Sequence, residues 1–295
     1  MRLAAATSVP VTTGSVCFRT LQTRSMRLTS STYPASACFP AHRHSAAVVS
    51  VMLEGDFETD IGERRLRSQP GVAVVEPVEE RHAHRVGTAG ARTVSIEVLP
   101  DGADDLLGEL RWVLDVPRST FDGNALMLAS RLTAEIDAQD RAAPIAAEGL
   151  ALELLAALAR RKQIDERGTV PPWLRTVREL VHESVPDGVS IGHAARVVGL
   201  HPVHVARVFH AVVGDSFGSY QRALRVHWAA QAIAESAEPL ASIALRAGFA
   251  DQSHFTRMFR RLSGMTPRSY RLLTHARQGG DHGGPGIRPL QHQAR

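Results

Sequence analysis

Residues 247–271, AGFADQSHFTRMFRRLSGMTPRSYR, decide the fold of the C-terminal half. Phe255, Met258, Phe259 and Leu262 recur at i, i+3, i+4 and i+7, the spacing of one buried helical face. Gln252, Ser253, Thr256, Arg257 and Arg260 fall on the other side. Side chains of these types hydrogen-bond base edges and phosphates in a DNA major groove. Ala247 and Gly248 close the preceding helix, and Asp251 is placed to cap the next one by accepting from free amide N–H groups. The stretch reads as a helix-turn-helix.

The same frame occurs once more upstream. Val205, Val208, Phe209 and Val212 sit 50 positions before the four apolar residues above, as Arg207 does before Arg257 and Gly214 before Gly264. In the helix before each turn, Ala195 and Gly199 answer to Ala244 and Gly248 one residue out of phase, so the second turn holds one extra residue. Repetition this dense marks an internal repeat. Between the copies, Ser216 to Ser236 carries Phe217, Tyr220, Leu224, Trp228, Ala232 and Ile233 at helical spacing. About 20 residues at ~1.5 Å each give a helix of roughly 30 Å. Successive major-groove faces lie about 34 Å apart, so one helix spaces two readers for adjacent turns of a duplex.

From about Trp173 to Leu273 the chain resembles the AraC family of bacterial transcription regulators, through GF, SHF, the Arg-Met-Phe core, Gly264, Thr266-Pro267 and Tyr270. The resemblance implies paired recognition helices on promoter DNA, with Val203 and Arg207 reading bases in the first repeat, while His204 between them is either a helix-packing residue or a phosphate contact. In the second it implies Gln252, Ser253 and Arg257, beside which Thr256 lies on the same polar face and Arg260 reads as a phosphate contact or part of a solvated face. Pro202 and Val203 depart from the polar or aromatic residues common at their positions. Proline suits the first turn of a helix, and Val203 suits apolar contact with a thymine methyl. Phe209, Trp228, Phe259 and Tyr270 are expected in the core. RNA polymerase is the protein partner a regulator of this family, in particular an activator, would meet.

Charge divides along the same line. Residues 171–277 hold 13 Arg against 7 Asp or Glu, a net +6, whereas residues 1–170 carry 19 basic and 22 acidic side chains, a net −3. A basic half attracts a polyanion. The two cysteines, Cys17 and Cys38, make neither a disulfide framework nor a metal-ligand spacing, which fits a reducing cytoplasm. No apolar run of about 18 residues exists, so no membrane span is expected. Residues 1–32 lack the apolar core of a secretory signal and read as a Ser/Thr/Arg-rich disordered extension, with Met26 an alternative start. Residues 278–295 read as a Gly-rich disordered tail.

Upstream, 46–53 (AAVVSVML), 72–75 (VAVV) and 93–99 (TVSIEVL) are β-branched runs broken by Gly55, Pro70-Gly71 and Pro77, the pattern of a small antiparallel barrel. Residues 33–100 resemble the cupin-like sensor of many AraC-type regulators, which implies an effector site or a regulatory platform. His42, His44, His82 and His84 form two His-x-His pairs at strand mouths and are the candidate ligand-binding residues. Imidazoles suit a transition metal, but metal-binding cupins place a glutamate soon after the first pair. Here SAAVVSVML follows, with no carboxylate until Glu54, and Glu79 or Glu80 would have to substitute. The histidines are therefore read as lining a polar pocket or pairing with carboxylates, and no metal or other cofactor is assigned.

Residues 101–162 contain two amphipathic stretches, 123–139 and 144–161, the second with a stripe of Leu150, Leu154, Leu155 and Leu158. The stripe serves either packing on the barrel or a homodimer helix pair. Residues 163–172 are polar, end in two prolines and read as a linker before the double helix-turn-helix of 173–277. The expected architecture is α+β and multidomain, an antiparallel cupin-like barrel followed by an all-α reader. The function that follows is a cytoplasmic, non-enzymatic regulator of double-stranded promoter DNA, modulated by a small-molecule effector or homodimerisation. The alternative is a metal-dependent cupin enzyme with a DNA-binding appendage.

Overall fold

The computed structural model describes residues 16–99, 111–138, 140–160 and 171–278. Eight strands form one antiparallel sheet: β1 (Cys17–Gln22), β2 (Met26–Tyr33), β3 (Cys38–His42), β4 (Val48–Ile61), β5 (Arg64–Ser68), β6 (Val72–Glu76), β7 (His82–Val98) and β8 (Arg118–Phe121). Their order is β1-β2-β7-β4-β6-β8, with β3 on β7 and β5 on β4. The long strands β4 and β7 pair along most of their length and bend where Gly55 faces Gly90 and Ala91. Both glycines have positive φ, and a Cβ on Gly55 would overlap the Gly90 carbonyl. Bulges of this kind let one strand serve two parts of a curved sheet.

The N-terminal expectation needs correcting. Residues 17–32 are not a disordered extension but strands β1 and β2, and the barrel does not begin at residue 33. Met26 and Leu28 are fully buried, and β2 pairs with β7 from Met26↔Val98 to Tyr33↔Ala91. Thr29, Ser30, Ser31 and Thr32 resemble a polar tract by composition, yet β-branched and hydroxyl side chains suit a half-buried strand. Cys17 and Cys38 accordingly lie in strands, both exposed and neither in a disulfide. At the other end β8 extends the sheet past residue 100, pairing Val72↔Phe121 through Val75↔Arg118. Residues 1–15, most of the expected linker (163–170) and nearly all of the expected tail (279–295) lie outside the described residues.

After the short α1 (Arg111–Leu114), α2 (Gly123–Ala138) and α3 (Ala143–Ala159) cover the barrel. Asp122 starts α2 by accepting from the Asn124 and Ala125 amides at 2.7 and 3.3 Å. The stripe of Leu150, Leu154, Leu155 and Leu158 is buried within this chain, in one cluster with Leu126, Leu132 and Ile136 of α2. That face is therefore used for packing and is not open to a second subunit.

The C-terminal half is all helical: α4 (Pro172–Glu183), α5 (Ile191–Val197), α6 (Pro202–Val213), α7 (Phe217–Glu235), α8 (Leu240–Arg246), α9 (Gln252–Ser263) and α10 (Pro267–Gln278). The repeat read in the sequence is a repeat in structure. The Leu200 amide donates to Ala195 and the Phe249 amide to Ala244, at 2.9 and 3.0 Å, each after a glycine of positive φ, Gly199 or Gly248. Gly214 and Gly264 end α6 and α9 in the same left-handed conformation. Only glycine adopts it without a steric penalty.

Among the described residues, the two larger of three apolar clusters divide the molecule unevenly, and a small third one lies around Phe39, Met52 and Phe57 of the barrel. The larger runs from Val49, Val94 and Ile96 in the barrel through Leu126 and Leu154 to Val205, Phe209 and Tyr220 of the first helix-turn-helix. The Phe121 and Tyr220 rings stack at 4.2 Å across this junction. The second helix-turn-helix has its own core of Val226, Ile233, Phe255, Phe259 and Tyr270, to which α2 adds Met127. Of the aromatics expected inside, Phe209, Phe259 and Tyr270 are buried, while Trp228 is only half-buried. Its ring instead lies 5.0 Å beneath the Arg246 guanidinium.

Candidate nucleic-acid interface and sensor site

α6 and α9 present the predicted readers. His201 starts α6 by accepting from the Val203 amide at 3.3 Å, and Asp251 starts α9 by accepting from the His254 amide at 2.7 Å. That hydrogen bond and the nearby Arg257 charge hold the Asp251 carboxyl below its ordinary range. On α6, Val203, His204 and Arg207 are exposed, Val203 by 68%. A valine that open on a helix of apolar residues has no packing role within the chain. On α9, Gln252, Ser253, Arg257 and Arg260 are exposed and Thr256 is half-buried beside them. His204 also leans on the Trp173 ring, 5.9 Å away, and its Nδ1 lies 3.5 Å from Arg207.

Among the described residues no salt bridge engages Arg207, Arg257, Arg260 or Arg261. Other arginines in the same half are spent on structure. Arg246 pairs with Glu238, and Arg271 donates to the Glu238 carbonyl at 2.5 Å. Arg225 donates to the carbonyls of Gly248, at 3.2 Å, and of Asp187. One guanidinium on α7 thus ties the turn of the second motif to the loop ahead of the first. The basic excess counted along the sequence overstates the free positive face, because side-chain partners are not visible in a count.

The sensor half brings its four candidate histidines together. His42 and His44 come from the end of β3 and the turn after it, His82 and His84 from the start of β7. Ring centroids of His42 and His82 are 4.5 Å apart, and those of His82 and His84 5.0 Å. At their centre lies a residue the sequence reading did not select, Glu76 at the end of β6. It is 3% exposed, and its carboxylate oxygens lie 3.6 Å from His44 Nε2, 3.5 Å from His82 Nε2 and 3.5 Å from His84 Nε2. Burial alone would raise the Glu76 pKa, but the charges of His84 and His82 and the hydrogen bond from His44 hold it below the usual carboxylate range. Burial pushes His84 down to about 4. Glu79 and Glu80 do not join the cluster through their carboxylates: Glu79 pairs with Arg43 at 3.4 Å, and Glu80 offers its carbonyl to His82.

The halves meet at α7. His227 Nε2 lies 3.1 Å from the Leu53 carbonyl of β4, and Gln231 donates to Glu54 at 2.7 Å. Arg67 of β5 donates to Glu179 of α4 at 2.8 Å, and Arg131 of α2 donates to the Ser263 carbonyl of α9 at 3.1 Å. The sensor half is therefore in contact with α4 ahead of the first motif, with α7 between the motifs and with the second motif.

Comparison with known proteins follows the same division. Residues 25–155 match the AraC-like ligand binding domain and residues 194–272 a helix-turn-helix domain. The Right origin-binding protein of Escherichia coli is 36% identical over 83 residues, 28% of this chain and 29% of that protein. Multiple antibiotic resistance protein MarA of Salmonella typhimurium is 27% identical over 109 residues, 37% of this chain and 86% of that protein. This chain thus spans less than a third of the length of the first relative. A transcriptional regulator with an AraC-type DNA-binding domain from Chromobacterium violaceum, of known structure, is 25% identical, covering 35% of this chain and 92% of its own, with a TM-score of 0.34. With the AraC-like ligand binding domain matched in one half and a helix-turn-helix domain in the other, the chain is similar in both halves to AraC-type DNA-binding transcription regulators.

Proposed function

We propose that this protein reads promoter DNA with α6 and α9 in two adjacent major grooves, and that the barrel governs how the two helices engage. The observation that carries the reading is the pair of exposed arginines, Arg207 and Arg257, without a salt bridge among the described residues, at equivalent positions of two repeated frames. Val203, Gln252 and Ser253 extend the base-reading surface, His204 and Thr256 flank it, and Arg260 supplies phosphate contact. Modulation by a small-molecule effector at the histidine end of the barrel is supported by β4, which carries Thr59 beside His84 and Leu53 beside His227. In this reading the protein acts in the cytoplasm without catalysis and delivers its signal to RNA polymerase. A homodimer would have to use the outer face of α3, where Ile145 is 79% exposed.

Selection of bound sequences from random duplexes by the full chain tests the reading, repeated with Arg207→Ala and Arg257→Ala. Two blocks about one helical turn apart, each relaxed by its own substitution, are expected. The absence of any enriched motif would overturn sequence-specific readout.

A further inference from the structure

We propose that His42, His44, Glu76, His82 and His84 form a binding site for one divalent first-row transition cation. The assignment stands on the barrel alone and does not depend on the DNA-reading role.

Three observations carry it. The potential ligand atoms fall into two interlocking sets, His42/His82/His84 and His44/Glu76/His82, whose members lie within 4.8 Å of one another. An ion held at about 2.0–2.2 Å by nitrogen and oxygen keeps neighbouring ligands roughly 3.0–3.5 Å apart. His44 and His82 Nε2 are 3.2 Å apart, and His82 Nε2 and Glu76 are 3.5 Å apart, so little movement is needed.

The second observation is how the rings are held. His42 Nδ1 lies 2.9 Å from the Pro40 carbonyl and His82 Nδ1 2.9 Å from the Glu80 carbonyl. A carbonyl only accepts, so each Nδ1 carries the hydrogen and each neutral ring has a bare Nε2. His82 turns that bare nitrogen towards His44 and the Glu76 carboxylate. His84 Nδ1 is fixed at 3.1 Å by the Thr59 hydroxyl, leaving its Nε2 towards Glu76. Metal-binding histidines are oriented by such outer hydrogen bonds.

The third is charge. Glu76 is buried, and among the described residues its ion-pair partners are three histidines, with no lysine or arginine. A buried carboxylate with no lysine or arginine partner, facing the bare Nε2 of His82, calls for a cation between them. The carboxylate arrives from β6, through the Val48↔Glu76 pairing with β4, and not from the segment after His44. Four imidazoles and one carboxylate suit zinc, iron, nickel or copper rather than calcium or magnesium.

The test uses tag-free, full-length protein stripped with a chelator and titrated with Co(II) and, separately, Zn(II). Bound metal is read by elemental analysis and Co(II) by its visible absorption. One equivalent per chain is expected, with affinity reduced by on the order of 100-fold or more in Glu76→Gln and His82→Ala, and roughly 10-fold in Thr59→Val. The exposed His193→Ala should bind as the parent does. Circular dichroism and thermal melting establish folding of each variant. Should Glu76→Gln not fold, His44→Ala at the half-buried rim and Thr59→Val carry the comparison. Failure of the folded parent to retain stoichiometric metal, or undiminished binding in folded Glu76→Gln or His44→Ala, would overturn the assignment.

Discussion

His227 Nε2 sits 3.1 Å from the Leu53 carbonyl, so a helix shared by both reading motifs is hydrogen-bonded to the long strand β4 of the barrel. Its other nitrogen lies 3.2 Å from the Ser130 hydroxyl of α2, and the ring is buried. This one imidazole therefore touches three elements at once, and its protonation state matters to all of them.

Burial lowers the His227 pKa to about 4, against the donation to Leu53, which raises it. An unfolded chain has an ordinary histidine near 6.5. Between those values the unfolded state binds a proton that the folded state refuses, so stability is complete above about pH 6.5 and falls as pH drops towards 4. The full difference is about 3 kcal/mol for this residue. His182, lowered by burial to about 3, adds in the same direction. Denaturant titration at pH 7 and pH 5 should show the loss, and His227→Gln should show a smaller one. An unchanged pH dependence in His227→Gln would refute its part.

Gly199 and Gly248 occupy equivalent turns with φ of 68° and 72°, yet their surroundings differ. A Cβ on Gly199 would meet open space, whereas on Gly248 it would press on the Arg225 guanidinium. Gly199→Ala should cost about 1–2 kcal/mol, the left-handed penalty alone. Gly248→Ala should cost more and should also loosen the Arg225 link. Equal melting losses for the two variants would contradict this.

Arg260 is exposed, makes no salt bridge among the described residues and reads as a phosphate contact. Arg260→Ala should weaken binding to all sequences alike and lower the slope of log affinity against log salt by about one. Arg257→Ala should instead change which bases are preferred. Binding isotherms at several salt concentrations on matched and mismatched duplexes separate the two.

Val203 has no packing partner to lose, so Val203→Ser should leave the melting temperature nearly unchanged. It should erase preference for thymine at one position of the site, since the apolar contact with the methyl is gone. An unaltered preference would mean that α6 reads with Arg207 and not with its first turn.

The reading motifs were legible because a helix repeats its buried face every few residues, and Val205 to Val212 copies Phe255 to Leu262 in register. The sensor strands 48–53, 72–75 and 93–98 were legible for a similar local reason. Glu76 was not, because it joins His44 and His82 only when β6 pairs with β4 and β3 pairs with β7, and no spacing along the chain records those pairings. Strands β1 and β2 escaped because their hydroxyl-rich composition resembles that of a polar tail. Their order comes from β7, more than 50 residues away in the chain. Which arginines stay free was likewise hidden, since the acceptors of Arg225 and Arg271 are backbone carbonyls.

The helix α7 belongs to two cores. Phe217 to Leu224 pack with the barrel and the first helix-turn-helix, and Val226 to Ile233 pack with the second. Cooperative melting would consequently not part the chain between its sensor and its reader. It would part within one continuous helix, at Arg225, leaving the sensor and the first motif as one unit and the second motif as the other. Amide exchange along α7 would register this as two rates either side of a single residue.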